Sequence, residues 1–155
     1  MKYLLTLVLA ISFAQAFQSN PPSIFMAKQL VMQHEGYRRH AYSDTNHLAI
    51  GYGINLGYGI SEPEAQLLLD YRLEIIHNQL TKYKWYTDLN PIRRSVIQDM
   101  VYNLGLPGFL QFKSTIWCLK NHWYKSASKH MADSIWFRQT GIRAKQLTKL
   151  MRDGK

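Results

Sequence analysis

The sequence predicts an α+β fold, predominantly helical, in two lobes: a small N-terminal αβ lobe with a hairpin, and a helical C-terminal lobe joined to it by a long helix. Three observations carry this. Apolar residues recur at helical spacing over most of the chain. Between Tyr42 and Ile60 the period changes: Gly51, Gly53, Gly57 and Gly59 cluster, and Leu48, Ile50, Tyr52 and Ile54 alternate as in short strands. Ser61-Glu62-Pro63-Glu64 then combines capping-box spacing with a proline in the first turn, and a long amphipathic stretch follows it.

The chain opens on Lys2, an apolar run from Tyr3 to Phe13 broken only by Thr6 and Ser12, and Ala14-Gln15-Ala16. That order is a signal peptide over 1–16 with a small-x-small cleavage site, so the expected mature chain is 17–155 and its expected location is secreted or periplasmic. The run is short for a permanent anchor, so no stable membrane insertion is expected once it is removed. Cys118 is the single cysteine, which excludes an intramolecular disulfide. Export without disulfides fits a bacterial cell envelope.

Ser19-Asn20-Pro21-Pro22 breaks the chain, and Ser23 can cap a helix carrying Ile24, Ala27, Leu30, Val31 and His34. Gly36 can end it, leaving Glu35 at its C-terminal end. Thr45-Asn46-His47 reads as a hairpin turn, since Asn tolerates a left-handed backbone. The N-lobe thus covers about 23–60, the linking helix about 62–83 and the C-lobe about 84–155. In the C-lobe, Asn90-Pro91 opens a helix expected to end at Gly105, Pro107-Gly108 breaks the chain, and helices follow near 109–121, 123–133 and 141–153.

The 155 residues carry a net charge of +9, and 46% are hydrophobic. Apolar content this high excludes disorder and supports a packed core. The basic balance implies an acidic partner. The charges are scattered without a basic run and the chain is expected to be exported, so the expectation is an anionic wall rather than nucleic acid.

Glu35 and Asp44 are the informative carboxylates. At a helix C-terminus the macrodipole disfavours a negative charge, a setting that suits a general acid. Asp44 opens the glycine-rich hairpin, nearer to solvent, and can act as a base toward water. Two carboxyls in unlike settings are the minimum machinery for glycoside hydrolysis. On spacing alone, a local turn cap and a surface charge are the better explanation.

The wording around them is more specific. Glu35-Gly36, Tyr42-x-Asp44 and Ile50-Gly51-Tyr52-Gly53, then Asn103-Leu104-Gly105, Phe112-x-Ser114-Thr115, and Trp136 through Gln139 with Arg143 and Ala144, occur in the order expected of one family. The chain resembles the phage-type lysozymes, glycoside hydrolase family 24, over nearly all of its mature length. The resemblance implies a lysozyme-like fold and a monomeric muramidase that needs no cofactor or metal. Its partner is the glycan strand of peptidoglycan, cut at the β-1,4 bond between N-acetylmuramic acid and N-acetylglucosamine, usually with inversion. It implies that Glu35 is the general acid and Asp44 the carboxylate that orients or activates water. Inversion requires about 6.5–9.5 Å between the carboxyls. Arg143 is implied to lie against the acid, and Tyr102 to face the substrate. Beside the resemblance, Gly51 and Gly53 can simply relieve a tight strand or let glycan approach the backbone, and both can hold.

Two positions depart from the family's Asp-x-x-Gly-x-x-Thr-Ile-Gly pattern and the segment after it. The turn is one residue shorter, and Ala49 stands where a threonine that helps to place the attacking water is expected; Ile54 replaces a frequent histidine. An alanine side chain forms no hydrogen bond. Thr45 or His47 can take over that role, or the protein binds the wall and cuts it weakly. Basic membrane disruption is a third reading.

His34-Glu35 lacks the second histidine of a zinc-protease motif, since Arg38 occupies that position. Cys118, among Ile116, Trp117 and Leu119, reads as a small buried hydrophobe. Trp85, Trp117, Trp123 and Trp136 mostly occupy apolar helical positions and read as core.

Overall fold

The computed structural model describes residues 21–155, and the signal peptide expected over 1–16 lies outside them. The described residues divide into two compact units, one ending at Ile60 and the other Ser61–Lys155. Helix dominates the described residues, with a small three-stranded antiparallel sheet, as an α+β fold of this kind requires.

The first unit begins with α1, Pro22–Glu35. Its N-cap is Pro21 and Pro22 sits in the first turn, so Ser23 lies inside the helix and makes no cap bond. Two consecutive prolines, whose rings preset φ, start the helix without the hydroxyl. Gly36 ends it at φ 64, with its N–H donating to the Met32 carbonyl at 3.2 Å.

Strands β1 (Arg38–Asp44), β2 (His47–Gly51) and β3 (Ile54–Asn55) then pair in sequence order. β1 begins at Arg38, ahead of the alternation expected from Tyr42. As an edge strand it is held by backbone pairing and keeps its arginines in solvent. The register slips between Arg38 and Tyr42, a local irregularity. The turn is Thr45-Asn46 alone, with Asp44 opposite His47. Thr45, not Asn46, takes the left-handed backbone, at φ 48.

The second unit starts with α2, Glu62–Leu80. The backbone N–H and the hydroxyl of Ser61 donate to the Glu64 carboxylate at 2.8 and 2.6 Å, and these bonds hold the Glu64 carboxyl below its usual range. A short helix α3 (Lys84–Thr87) precedes α4 (Pro91–Phe109), which the Asn90 side chain caps by accepting from the Arg93 N–H at 2.9 Å. Gly105 breaks the helical geometry at φ 71, ψ 157. The chain then resumes one more helical stretch through Pro107 to Phe109, where a break was expected. Pro107 falls near the start of the resumed stretch, where its missing N–H costs little.

α5 (Lys113–Lys120), α6 (Tyr124–Ala132), α7 (Ile135–Thr140) and α8 (Ile142–Asp153) complete the unit. α3 and α7 are not among the helices expected from the sequence. Each is little more than a turn or two, too short to display a period, and α7 is set by its Ser134 cap, which accepts from the Phe137 N–H at 3.1 Å.

The core of this unit is an aromatic chain. Phe109 lies 6.0 Å from both Trp85 and Phe112, and Phe112 meets Trp136 edge-on at 6.1 Å. Met100, Leu119, Met131 and Met151 fill the space around it. Cys118 is buried as expected, which pushes its thiol upward. The expectation for the tryptophans divides: Trp85 and Trp136 are core, whereas Trp117 and Trp123 are more than half exposed. One residue is about 100° of rotation on α5, enough to leave Trp117 outside while Cys118 is buried.

The C-terminus is fastened to α4. Arg93 donates to the Met151 carbonyl at 2.8 Å and the Arg152 carbonyl at 3.3 Å, and Asn90 donates to the Gly154 carbonyl at 3.0 Å. The Arg93 guanidinium also lies 3.8 Å over the Tyr124 ring. A cation is thereby set on the negative end of α8. Arg93→Ala is expected to destabilise the protein by about 2 kcal/mol, combining lost charge-assisted bonds and the cation–π contact. Urea denaturation measures it, and an unchanged midpoint would show that this fastening contributes nothing.

Candidate active site

In the first unit, α1 delivers Glu35 at its last residue and the hairpin delivers Asp44 at the end of β1. Gly53 has φ +72, and a Cβ built there would come within 2.5 Å of Glu35 Oε2 and 2.8 Å of its Cδ. The Glu35 carboxyl therefore rests directly over the Gly53 backbone. This glycine serves both purposes that glycine serves best: a left-handed backbone and a vacant space for a neighbour. The close approach to the backbone expected at Gly53 is made here by the Glu35 side chain.

Asp44 is bracketed by its own turn. His47 Nε2 lies 3.6 Å from Asp44 Oδ2, and the Thr45 hydroxyl lies 3.5 Å from Oδ1, a long contact. Period-2 alternation puts His47, Ala49 and Gly51 on one side of β2, and the pairings Asp44↔His47 and Tyr42↔Ala49 put Asp44 and Tyr42 beside them. Ala49 is fully buried on that side. The position where the family's threonine is expected thus shares a sheet face with Asp44 and His47. Around it, Arg38 lies 4.1 Å over the Tyr42 ring, and Tyr37 and Tyr52 meet at 5.6 Å.

In the second unit, one face of α4 gathers the remaining motif residues. Asp99 and Asn103 are four apart and so lie one above the other. Asn103 Oδ1 accepts from the Trp136 indole N–H at 3.1 Å. Asp99 Oδ1 accepts from Arg143 Nε at 2.8 Å. Arg143 is thus paired to Asp99, a partner that the sequence reading did not name. The i, i+4 spacing from Asn103 was the available signal. Tyr102 is exposed and borders a hollow of about 340 Å³ with Arg72, Gln79 and Gly105. The motif segments Phe112-x-Ser114-Thr115 and Trp136 to Gln139 converge on an open groove of about 440 Å³, which His130 also lines.

Among the described residues no group of three His, Cys, Asp or Glu side chains could hold a metal ion, and no helix is long and apolar enough to cross a membrane.

Comparison with known proteins agrees with the motif order. The chain is 26% identical over 99 residues to a probable T4-type lysozyme 1 of Dictyostelium discoideum, an alignment covering 61% of this chain and 58% of that relative. The profile of the phage lysozyme family matches residues 32–153, from just before Glu35 to the end of α8. With that match spanning most of its length, this chain belongs to the phage lysozyme family.

Proposed function

We propose that this protein is an exported peptidoglycan hydrolase, a muramidase that cleaves the β-1,4 bond between N-acetylmuramic acid and N-acetylglucosamine. The observation that carries the reading is Glu35 seated on Gly53 at the end of α1, within the segment that the family profile matches. Glu35 protonates the leaving glycosidic oxygen as general acid. Asp44, held at the hairpin tip, orients or activates the water that attacks the opposite face of the sugar. Arg143, fixed by Asp99, supplies a positioned cation, and Tyr102 supplies an exposed ring for the glycan.

The water site is rebuilt from the turn. Thr45 and His47 both reach Asp44, while Ala49 offers no hydroxyl. Because Ala49 is fully buried, a threonine there would overpack, at about 1–3 kcal/mol. Serine, one oxygen larger than alanine, is the better probe. Thr45→Ala or His47→Ala is expected to slow turnover several-fold, as the loss of about 1 kcal/mol of hydrogen bonding to a positioned water would. Ala49→Ser is expected to leave the rate within about twofold. Clearing of purified peptidoglycan gives the rates, and mass spectrometry of the products gives the reaction: reducing muramic ends mean hydrolysis, anhydro ends transglycosylation.

A catalytically weak wall-binding protein is the second reading, favoured by the missing hydroxyl at Ala49. It predicts retention on peptidoglycan with no soluble product. Export rests on residues 1–16, and N-terminal sequencing of secreted material, expected to begin at Phe17, tests it.

A further inference from the structure

The hairpin of α5 and α6 carries features that the proposed chemistry does not use. From Met100 to Ala132 the chain contains no acidic residue, and Lys113, Lys120, Lys125 and Lys129 are all exposed. Lys113, Trp117 and Lys120 follow one another at i, i+4 and i+7, so they share a single face of α5. Lys125 and Lys129 repeat the i, i+4 relation on α6. At the tip of this basic surface stand Trp117 and Trp123, 54% and 52% exposed, with ring centroids 4.8 Å apart and planes at 81°. Trp85 and Trp136 are 6% and 5% exposed, so this pairing is a local departure from how the protein treats its other indoles.

The backbone holds the pair in place at a cost. α5 ends in a Schellman arrangement: the His122 N–H donates to the Leu119 carbonyl at 3.1 Å and the Trp123 N–H to the Cys118 carbonyl at 2.9 Å. The left-handed position of such a cap is usually glycine, and here it is His122 at φ 58. His122→Gly is expected to raise Tm by about 2–4 °C through relief of the left-handed backbone; a fall would mean that the imidazole contact with the Tyr124 hydroxyl at 3.0 Å outweighs the backbone strain. The cap turns the chain so that Trp123 returns alongside Trp117. Lys120 and His122 also border an open pocket with Lys82, Lys84 and Asp88, and that one acid is bridged to Lys84 at 2.8 Å. The surface therefore stays basic on this side too.

We infer that the α5–α6 hairpin is an interfacial docking surface for an anionic lipid bilayer, with Trp117 and Trp123 entering the headgroup layer and Lys113, Lys120, Lys125 and Lys129 facing lipid phosphates. Indoles are suited to the boundary between water and acyl chains, having a large apolar body and one polar N–H. Lysines flank them with long apolar stems and charged heads. No acid lies within the segment to neutralise them. The contact is peripheral, made by a short helical hairpin, and requires no spanning helix. It would concentrate the enzyme at the membrane beside its polymer, independently of how the polymer is cut.

Tryptophan emission is a direct readout, because the two other indoles are buried. The purified chain is mixed with vesicles of phosphatidylcholine alone or containing one third phosphatidylglycerol. A blue shift and reduced acrylamide quenching are expected with the anionic vesicles only. Each basic charge near such a surface is worth about fivefold in partition. Lys120→Glu with Lys125→Glu, which keeps both tryptophans, is therefore expected to weaken vesicle co-sedimentation by well over tenfold and remove the blue shift. The lysine-to-arginine pair should restore both. Lysis of purified peptidoglycan should be unchanged in all of them, which also reports that they fold. Should the glutamate pair fail to fold, Trp117→Ser is read by co-sedimentation, with a weakening of about tenfold expected and no weakening counting against the proposal. It is overturned by an absent shift, an equal shift on neutral vesicles, or indifference to charge reversal. An equal shift with soluble poly(glycerol phosphate) would overturn it as well, by reassigning the surface to a polyanion.

Discussion

Glu35→Gln is expected to reduce peptidoglycan clearing by about 10²–10⁴-fold while leaving Tm unchanged. Glutamine keeps the shape of the side chain and its place over Gly53, but it has no proton to deliver to the glycosidic oxygen. That range corresponds to about 3–5 kcal/mol of transition-state stabilisation. Stability should hold because Glu35 is exposed and is not part of the packed core, so no buried partner is left without a bond. The decisive comparison is with Asp44→Asn, which is also expected to be severe but to retain residual turnover where water still binds at the turn. Wild-type clearing by the Glu35→Gln protein would remove Glu35 from the mechanism and return Glu35 to being the surface charge at a helix end that its spacing alone suggests. Loss of clearing together with a large fall in Tm would mean that the side chain acts on the fold instead.

Gly53→Ala is expected to lower the same rate by about 10²-fold through position rather than chemistry. The added methyl would lie 2.5 Å from Oε2, 2.8 Å from Cδ and 3.2 Å from Cγ of Glu35. A contact that short cannot persist, and the exposed, flexible Glu35 side chain is what gives way. Displacement of a catalytic group by about 1 Å can cost on the order of 10²-fold. The stability cost should be separate and smaller. Gly53 has φ +72, where an L side chain adds about 1–2 kcal/mol of backbone strain. The expected signature is a modest fall in Tm with a much larger fall in rate, measured on one preparation. Full activity in a mildly destabilised Gly53→Ala protein would show that catalysis does not depend on where this glycine lets Glu35 rest. Asn at the same position would remove part of the strain but none of the clash, so it should recover Tm without recovering the rate.

Much of the architecture is decided locally and was therefore readable before any coordinates. Ser61 and Glu64 hold the start of α2, Asn90 caps α4, Gly36 ends α1 and Gly105 breaks α4 because each acts on backbone groups within a few residues of itself. The hairpin followed from alternation and glycine, and the phage lysozyme family from motif order. The errors have the same origin. Ser23 was overridden by two prolines beside it, Thr45 rather than Asn46 took the left-handed turn position, and α3 and α7 are too short to show a period.

What only the tertiary structure decided is which side chain meets which. Arg143 with Asp99 and Asn103 with Trp136 join residues 44 and 33 positions apart. Spacing along one chain carries no information about such pairs until α4 and the C-terminal helices are packed. Two tryptophans went inside and two outside for a like reason. Three of them sit in helices and Trp123 just before one, and only the arrangement of neighbouring helices determines which of these positions faces the core. The use of Gly53 is the sharpest instance. A glycine in a strand announces that something comes close to the backbone, and the sequence could say no more than that. That the visitor is the Glu35 carboxyl follows from the end of α1 and the turn between β2 and β3 meeting in space, a long-range closure that no local preference encodes.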